Sequence, residues 1–95
     1  MKYRHYSPCA RVAIVSPSAR MESVVRAAFI GTKPLGQREN FLLYRVCRDS
    51  EEYAHALFAF FRQCDAANIS VIYCQSVKTR GIGLALMDRL QRATH

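Results

Sequence analysis

Short apolar runs alternate along the chain with longer stretches in which apolar residues recur at helical spacing. The runs RVAIVSP, NFLLYRVCR and ISVIYCQ are rich in β-branched and aromatic residues, a composition typical of buried strands. They predict three strands, over Arg11–Pro17, Asn40–Arg48 and Ile69–Gln75. The segment GTKPLGQRE, which follows residue 30, contains Pro34 and Gly36 and is predicted to be a loop.

The longer stretches predict three helices, over Ser18–Phe29, Ser50–Ala67 and Gly81–Thr94. In the first helix, Ser18 can form the N-terminal cap. Gly31, just after the helix, could adopt the left-handed conformation of a C-terminal cap. Its apolar face is formed by Met21, Val24, Val25, Ala28 and Phe29.

The second helix has the strongest local signals. Asp49 and Glu52 have the spacing of a capping box, which predicts the helix start. An apolar stripe follows at helical spacing, formed by Tyr53, Leu57, Phe60, Phe61 and Cys64. His55 falls off this stripe and is expected to face solvent. In the third helix, Asp88 and Arg92 are spaced to form an i,i+4 ion pair.

The alternation of strand and helix predicts the fold class. Parallel strands joined by right-handed helical crossovers give an α/β domain. We therefore expect a small Rossmann-like domain of three mainly parallel strands alternating with three helices. We expect the strand order 2-1-3, with 1-2-3 as the alternative.

Composition narrows the class of protein. The 95 residues suffice for one globular domain with a modest core, and the formal charge is +7. That charge would favour binding of phosphate-bearing partners, or it could simply keep the chain in solution. Because the basic residues are scattered, solubility is the favoured explanation.

The four cysteines are predicted to be structural thiols, and a disulfide or a metal site is the less favoured alternative. No two of them have CxxC spacing: Cys9, Cys47, Cys64 and Cys74. No leader peptide or membrane-spanning run is apparent, so we expect a soluble protein in a reducing compartment.

Ligands of open parallel sheets bind beyond the carboxyl ends of the strands. The segments SPSAR, RDSEE and QSVKTRGIG should gather there. Lys78, Arg80, Gly81 and Gly83 could hold a phosphate, because positive charge adjoins a helix start. The alternative, which we favour, is that the glycines let the helix pack closely against the sheet. The residues suggest no catalytic constellation and no metal ligands.

Two segments carry a resemblance to a known family. The opening MKYRHYSP resembles the linker signature KYRHYxP of long-form L-threonylcarbamoyladenylate synthases, in the Sua/YciO/YrdC superfamily. The stretch from EEYAHALF to GIGLALMDRLQRAT resembles the end of the small C-terminal domain of these enzymes. Two departures are the basic turn VKTR and Asp88 at a position where asparagine is common.

The resemblance implies that residues 1–8 end an interdomain linker and residues 9–95 form the C-terminal accessory domain. The catalytic YrdC-like domain does not appear, so we expect either a fragment cut at the linker or a reduced relative. The family makes threonylcarbamoyl-AMP from threonine, bicarbonate and ATP, for threonylcarbamoyladenosine in tRNA. The resemblance also implies that the linker is a lid over the active site, with Lys2, Tyr3, Arg4, His5 and Tyr6 as substrate-binding residues.

The resemblance and the residues together set the remaining expectations. We expect no cofactor in this chain, whereas the parent enzyme would use ATP and magnesium. Expected partners are the YrdC-like catalytic domain and tRNA or the tRNA-modification machinery, but no membrane. The expected location is the cytoplasm, with mitochondria as the alternative. The competing function is a stand-alone nucleotide- or tRNA-binding module, and the oligomeric state is left open.

Overall fold

The computed structural model describes residues 8–18, 26–36 and 38–94. Their strands are β1 (Arg11–Val15), β2 (Ala27–Gly31), β3 (Leu43–Val46) and β4 (Val71–Gln75). The helices are α1 (Ser50–Ala66) and α2 (Ile82–Ala93), and a short 3-10 helix, Arg38–Asn40, precedes β3.

The strands form one sheet in the order β1-β4-β2-β3, and all three pairings are parallel. The predicted α/β class is confirmed, although the described residues contain one more strand than expected. Both strand orders offered from the sequence are wrong, because β4 inserts beside β1 and β2 separates β4 from β3. In a parallel sheet, all carboxyl ends lie at the same edge, and that edge is called the carboxyl edge below.

The strand that the sequence did not predict is β2. Residues 27–29 belong to it, so the predicted helix Ser18–Phe29 is wrong over its last three residues, while residues 19–25 lie outside the described ranges. All five residues of β2 are buried, as expected of a strand that is paired on both sides and covered on both faces. Gly31 ends this strand and has no positive φ, so its predicted role as a left-handed helix cap is also wrong.

Helix α1 begins as its sequence predicts. The Asp49 side chain accepts the Glu52 backbone N–H at 2.9 Å, and the Glu52 carboxylate accepts the N–H of Arg48 at 3.1 Å. In a capping box, the Glu52 carboxylate would accept the N–H of the N-cap residue Asp49; here it accepts the N–H of the residue before it. The predicted apolar stripe is confirmed as buried: Tyr53, Leu57, Phe60, Phe61 and Cys64.

Helix α2 follows β4 after a short turn. It buries Leu86 and Leu90, and the predicted pair Asp88–Arg92 forms with 2.9 Å between Oδ2 and Nε. Both helices pack against each other, with α1 on β2 and α2 on β1. They therefore cover the same face of the sheet, whose inward side chains include Ile30, Ile72 and Cys74.

An aromatic cluster lies on the opposite face, formed by Phe29, Phe41, Tyr44 and Tyr73. Phe29 is fully buried, with ring centroids 5.2 Å from Tyr44 and 5.8 Å from Phe41. The Tyr44 hydroxyl also donates to the backbone carbonyl of Leu35 and accepts its N–H. These contacts fix the chain between β2 and β3 against the sheet.

The cysteines are all free. Cys47, Cys64 and Cys74 are buried in the core, whereas Cys9 is exposed. Burial raises the pKa of the Cys64 thiol to about 12 and raises the pKa of the Cys74 thiol as well. Among the described helices, none has the length and apolar character that a bilayer crossing requires.

Candidate functional site

A cleft of about 450 Å³ opens at the carboxyl edge of the sheet. We call it the carboxyl-edge cleft, and its lining residues are Pro17, Thr32, Lys33, Ser50, Ser76, Val77 and Lys78. Each follows a strand: Pro17 comes after β1, the pair at 32–33 after β2, Ser50 after β3, and the trio at 76–78 after β4. Its volume falls in the range typical of small-molecule sites.

The three segments predicted to gather at this edge do so. SPSAR contributes Pro17, RDSEE contributes Ser50, and QSVKTRGIG contributes Ser76, Val77 and Lys78. The contribution of Thr32 and Lys33 was missed, because the strand that carries them was predicted to be a helix. The signal that could have revealed it is AAFIG, a continuous apolar run followed by loop residues.

The Gln75 side chain holds the loop after β2 in place. Its Oε1 atom accepts the backbone N–H groups of Thr32 and Lys33, each at 2.9 Å, and its Nε2 donates to the Lys33 carbonyl at 3.0 Å. Gln75 has no exposed surface, so these bonds are shielded from competition by water. Gly31 makes the arrangement possible, since a Cβ there would lie 2.5 Å from Gln75 Cβ.

Tyr53 ties helix α1 to the same point. Its hydroxyl donates to the Gln75 carbonyl at 2.8 Å. Burial raises the pKa of Tyr53 far above its ordinary value, with smaller contributions from the charges of Cys74 and Cys47. The phenol is therefore neutral, and its hydrogen bond attaches α1 to the end of β4 beside the cleft.

The turn between β4 and α2 is also closely packed. A Cβ at Gly83 would collide with the Lys78 backbone carbonyl, so this glycine allows close packing of α2 against the turn before it, whereas the sequence favoured packing against the sheet. The N–H of Gly83 already donates to Arg80 at 3.0 Å, and the N–H of Leu84 donates to Gly81 at 3.1 Å. Neither group is free to hold a phosphate.

Of the four predicted phosphate-binding residues, the structure therefore brings one to the cleft. Lys78 lines it, whereas Arg80, Gly81 and Gly83 do not. Gly81 instead serves as the N-cap of α2 with a φ of 57°, a conformation that favours glycine. The role of Lys78 toward a phosphate stays a prediction.

The electrostatic character of the cleft is positive. Among residues 8–18, 26–36 and 38–94, its lining includes two lysines, Lys33 and Lys78, and no carboxylate. Both side chains are exposed, and within the described ranges neither is ion-paired. By contrast, Arg45 and Arg48 lie near the start of α1 and pair with its acidic residues.

The lining offers binding groups and no catalytic set. Its described residues contain three hydroxyls but no histidine, carboxylate or thiol to activate them. His55 is exposed on α1, as expected. Within the described part of the chain, no three His, Cys, Asp or Glu side chains group to hold a metal ion. The predicted lid residues Lys2, Tyr3, Arg4, His5 and Tyr6 lie outside the described residues.

Known proteins are similar to this chain over nearly its full length. The family model described as "Threonylcarbamoyl-AMP synthase, C-terminal domain" matches residues 1–94. A threonylcarbamoyl-AMP synthase from Pyrococcus abyssi is 30% identical over 104 residues, which cover 99% of this chain and 31% of that protein. A crystal structure of P. abyssi Sua5 complexed with L-threonine has a TM-score of 0.73 at 31% identity, covering 99% of this chain and 31% of the other.

Proposed function

Because the chain belongs to the family of threonylcarbamoyl-AMP synthase C-terminal domains, we propose that it serves as the accessory domain of such a synthase. Its partner would be a YrdC-like catalytic domain that makes threonylcarbamoyl-AMP from threonine, bicarbonate and ATP for tRNA modification in the cytoplasm. The observation that carries the proposal is the family match over residues 1–94. The chain spans 31% of the length of the similar synthase, so the remaining length of a synthase can accommodate a catalytic domain.

The proposal entails that this chain has no synthase activity by itself. The test is pyrophosphate release by the purified chain supplied with ATP, magnesium, threonine and bicarbonate. Background release is expected, and an intact P. abyssi synthase serves as the active control. Turnover by the chain alone at the rate of the intact synthase would overturn the proposal.

A finer proposal concerns the opening segment KYRHYSP, which we propose acts as a lid over the active site of the complete enzyme. The chemistry of its side chains supports this: Arg4 can bind a phosphate or carboxylate in bidentate fashion, and Tyr6 can stack or donate a hydrogen bond. In an enzyme that contains both domains, Arg4→Ala and Tyr6→Ala should lower adenylate formation by about tenfold or more, since each removes a contact worth over 1 kcal/mol.

Ser7→Ala is the control for the lid variants, because it changes a residue of the same segment without removing a charged or aromatic group. Each variant is compared by product formation and by its melting temperature. Unimpaired synthesis by both variants would refute the lid. A loss of activity that follows a loss of stability would assign the segment a structural role instead.

A second candidate function is a stand-alone binding module for a nucleotide or for tRNA. The observation in its favour is the carboxyl-edge cleft, whose lining is cationic, on a chain with a formal charge of +7. Co-purification discriminates between the two functions. An accessory domain should form a stable complex with a separately expressed YrdC-like catalytic domain in size-exclusion chromatography, whereas a stand-alone module should elute separately.

A further inference from the structure

The carboxyl-edge cleft has the properties of a binding site, and the proposed accessory function assigns no ligand to it. It is the meeting point of the loops after β1, β2 and β4 with the start of α1. We propose that it binds a small phosphate monoester of mononucleotide size, a nucleoside monophosphate being the class that fits best. The proposal concerns a ligand of this chain itself, and it does not depend on the proposed accessory function.

The charge of the lining indicates the sign of the ligand. Lys33 and Lys78 approach from loops that follow different strands, and among the described lining residues no carboxylate competes for their ammonium groups. A phosphate monoester carries nearly two negative charges at neutral pH, which matches two lysines. Thr32, Ser50 and Ser76 add hydroxyl donors around the same space.

The chain holds these two lysines on fixed backbone. Gln75 binds both backbone groups of Lys33, and Gly83 at the start of α2 lies close against the backbone carbonyl of Lys78. Within the described residues, neither lysine side chain has an ion-pair partner. Holding a side chain by its backbone while leaving its charge available lowers the entropic cost of binding a ligand.

The size and the remaining lining indicate what carries the phosphate. A volume of about 450 Å³ exceeds what inorganic phosphate would fill, and Pro17 and Val77 supply apolar surface beside the cations. A phosphate on a sugar and base would place its charge between the lysines and its apolar body against these two side chains. Strands that end at one edge of a parallel sheet commonly form this kind of site.

The test is calorimetric titration of the purified chain with AMP and, separately, with adenosine. AMP should bind, adenosine should not bind measurably, and Lys33→Ala and Lys78→Ala should each weaken AMP binding about tenfold, the loss expected for one charge-assisted contact. Arg62→Ala is the matched control. It removes one positive charge from an exposed position on α1, 12 residues beyond Ser50 and thus roughly 18 Å along the helix. It should change AMP affinity less than twofold.

Three outcomes would overturn the proposal. The first is no binding of AMP at millimolar concentration, and the second is equal binding of adenosine. The third is a loss of AMP affinity in Arg62→Ala equal to the loss in the two lysine variants. That result would show a general electrostatic attraction to the positively charged chain and no specific site. A parallel titration with tRNA separates the macromolecular alternative: binding of tRNA that depends on Lys33 and Lys78 while AMP does not compete would assign these lysines to an RNA surface.

Discussion

Replacing Gly31 by alanine tests how the loop after β2 is held. The added Cβ would lie 2.5 Å from Gln75 Cβ and 2.6 Å from Oε1, both closer than non-bonded atoms approach. Gln75 cannot easily move aside, because it has no exposed surface and makes three hydrogen bonds to Thr32 and Lys33. Overpacking of this kind costs about 1–3 kcal/mol. For a domain of 95 residues, that lowers the melting temperature by roughly 4–24 °C.

Gly36→Ala is the control for this experiment. A Cβ at Gly36 meets nothing within 4 Å, and its φ is not positive, so the substitution fits without strain. It should leave the free energy of unfolding unchanged or raise it by up to about 1 kcal/mol, by restricting the unfolded chain. Thermal melts followed by circular dichroism compare the two variants. Equal melting temperatures would show that Gly31 and Gln75 are not in close contact, and the account of this loop would fail.

Three further changes probe other parts of the structure. Gly83→Ala should lower the free energy of unfolding by about 1–3 kcal/mol in urea melts, since its Cβ collides with the Lys78 carbonyl; stability equal to that of the parent chain would contradict this. Asp49→Ala removes the acceptor for the Glu52 N–H and should cost about 1 kcal/mol in the same melts, whereas Asp49→Asn should retain most of that stability. The pKa of Cys64 rises from 9.0 to about 12 on folding, so the unfolded chain binds fewer protons between these values and stability should fall as pH rises through this range. Cys64→Ala should show a shallower decline in urea melts at about pH 8 and pH 10.5, and an identical decline would refute this assignment.

The sequence predicts well those elements whose signals are local. Helix α1 has an N-cap at Asp49, an apolar stripe at helical spacing and 17 residues, so its start and buried face follow from its own sequence. Its end depends partly on distant residues. Arg26 donates from its side chain to the carbonyl groups of Ala67 and Asn68, a contact across 41 positions that no local pattern indicates.

Strand β2 shows where local signals fail. Ala28 and Phe29 continue the helical spacing of the preceding valines, and a short apolar run fits a buried helix and a central strand equally well. Pairing with β3 and β4 decides the outcome, and those partners lie about 15 and 44 positions away in the chain. The same absence of nearby signals explains why both predicted strand orders were wrong. Because the strand was missed, so was the contribution of Lys33 to the candidate site.

At the candidate site, the residues that stabilise the fold differ from the residues that could bind a ligand. Gln75 and Tyr53 are fully buried and use their polar atoms on backbone groups. Lys33 and Lys78 are exposed, and their side chains make no ion pair within the described ranges. Loss of an exposed, unpaired charge typically changes stability by less than about 0.5 kcal/mol, whereas loss of a buried hydrogen-bonded group costs more. Ligand affinity can therefore change at the lysines without a change in fold, while the buried glutamine keeps the loop after β2 attached to the sheet.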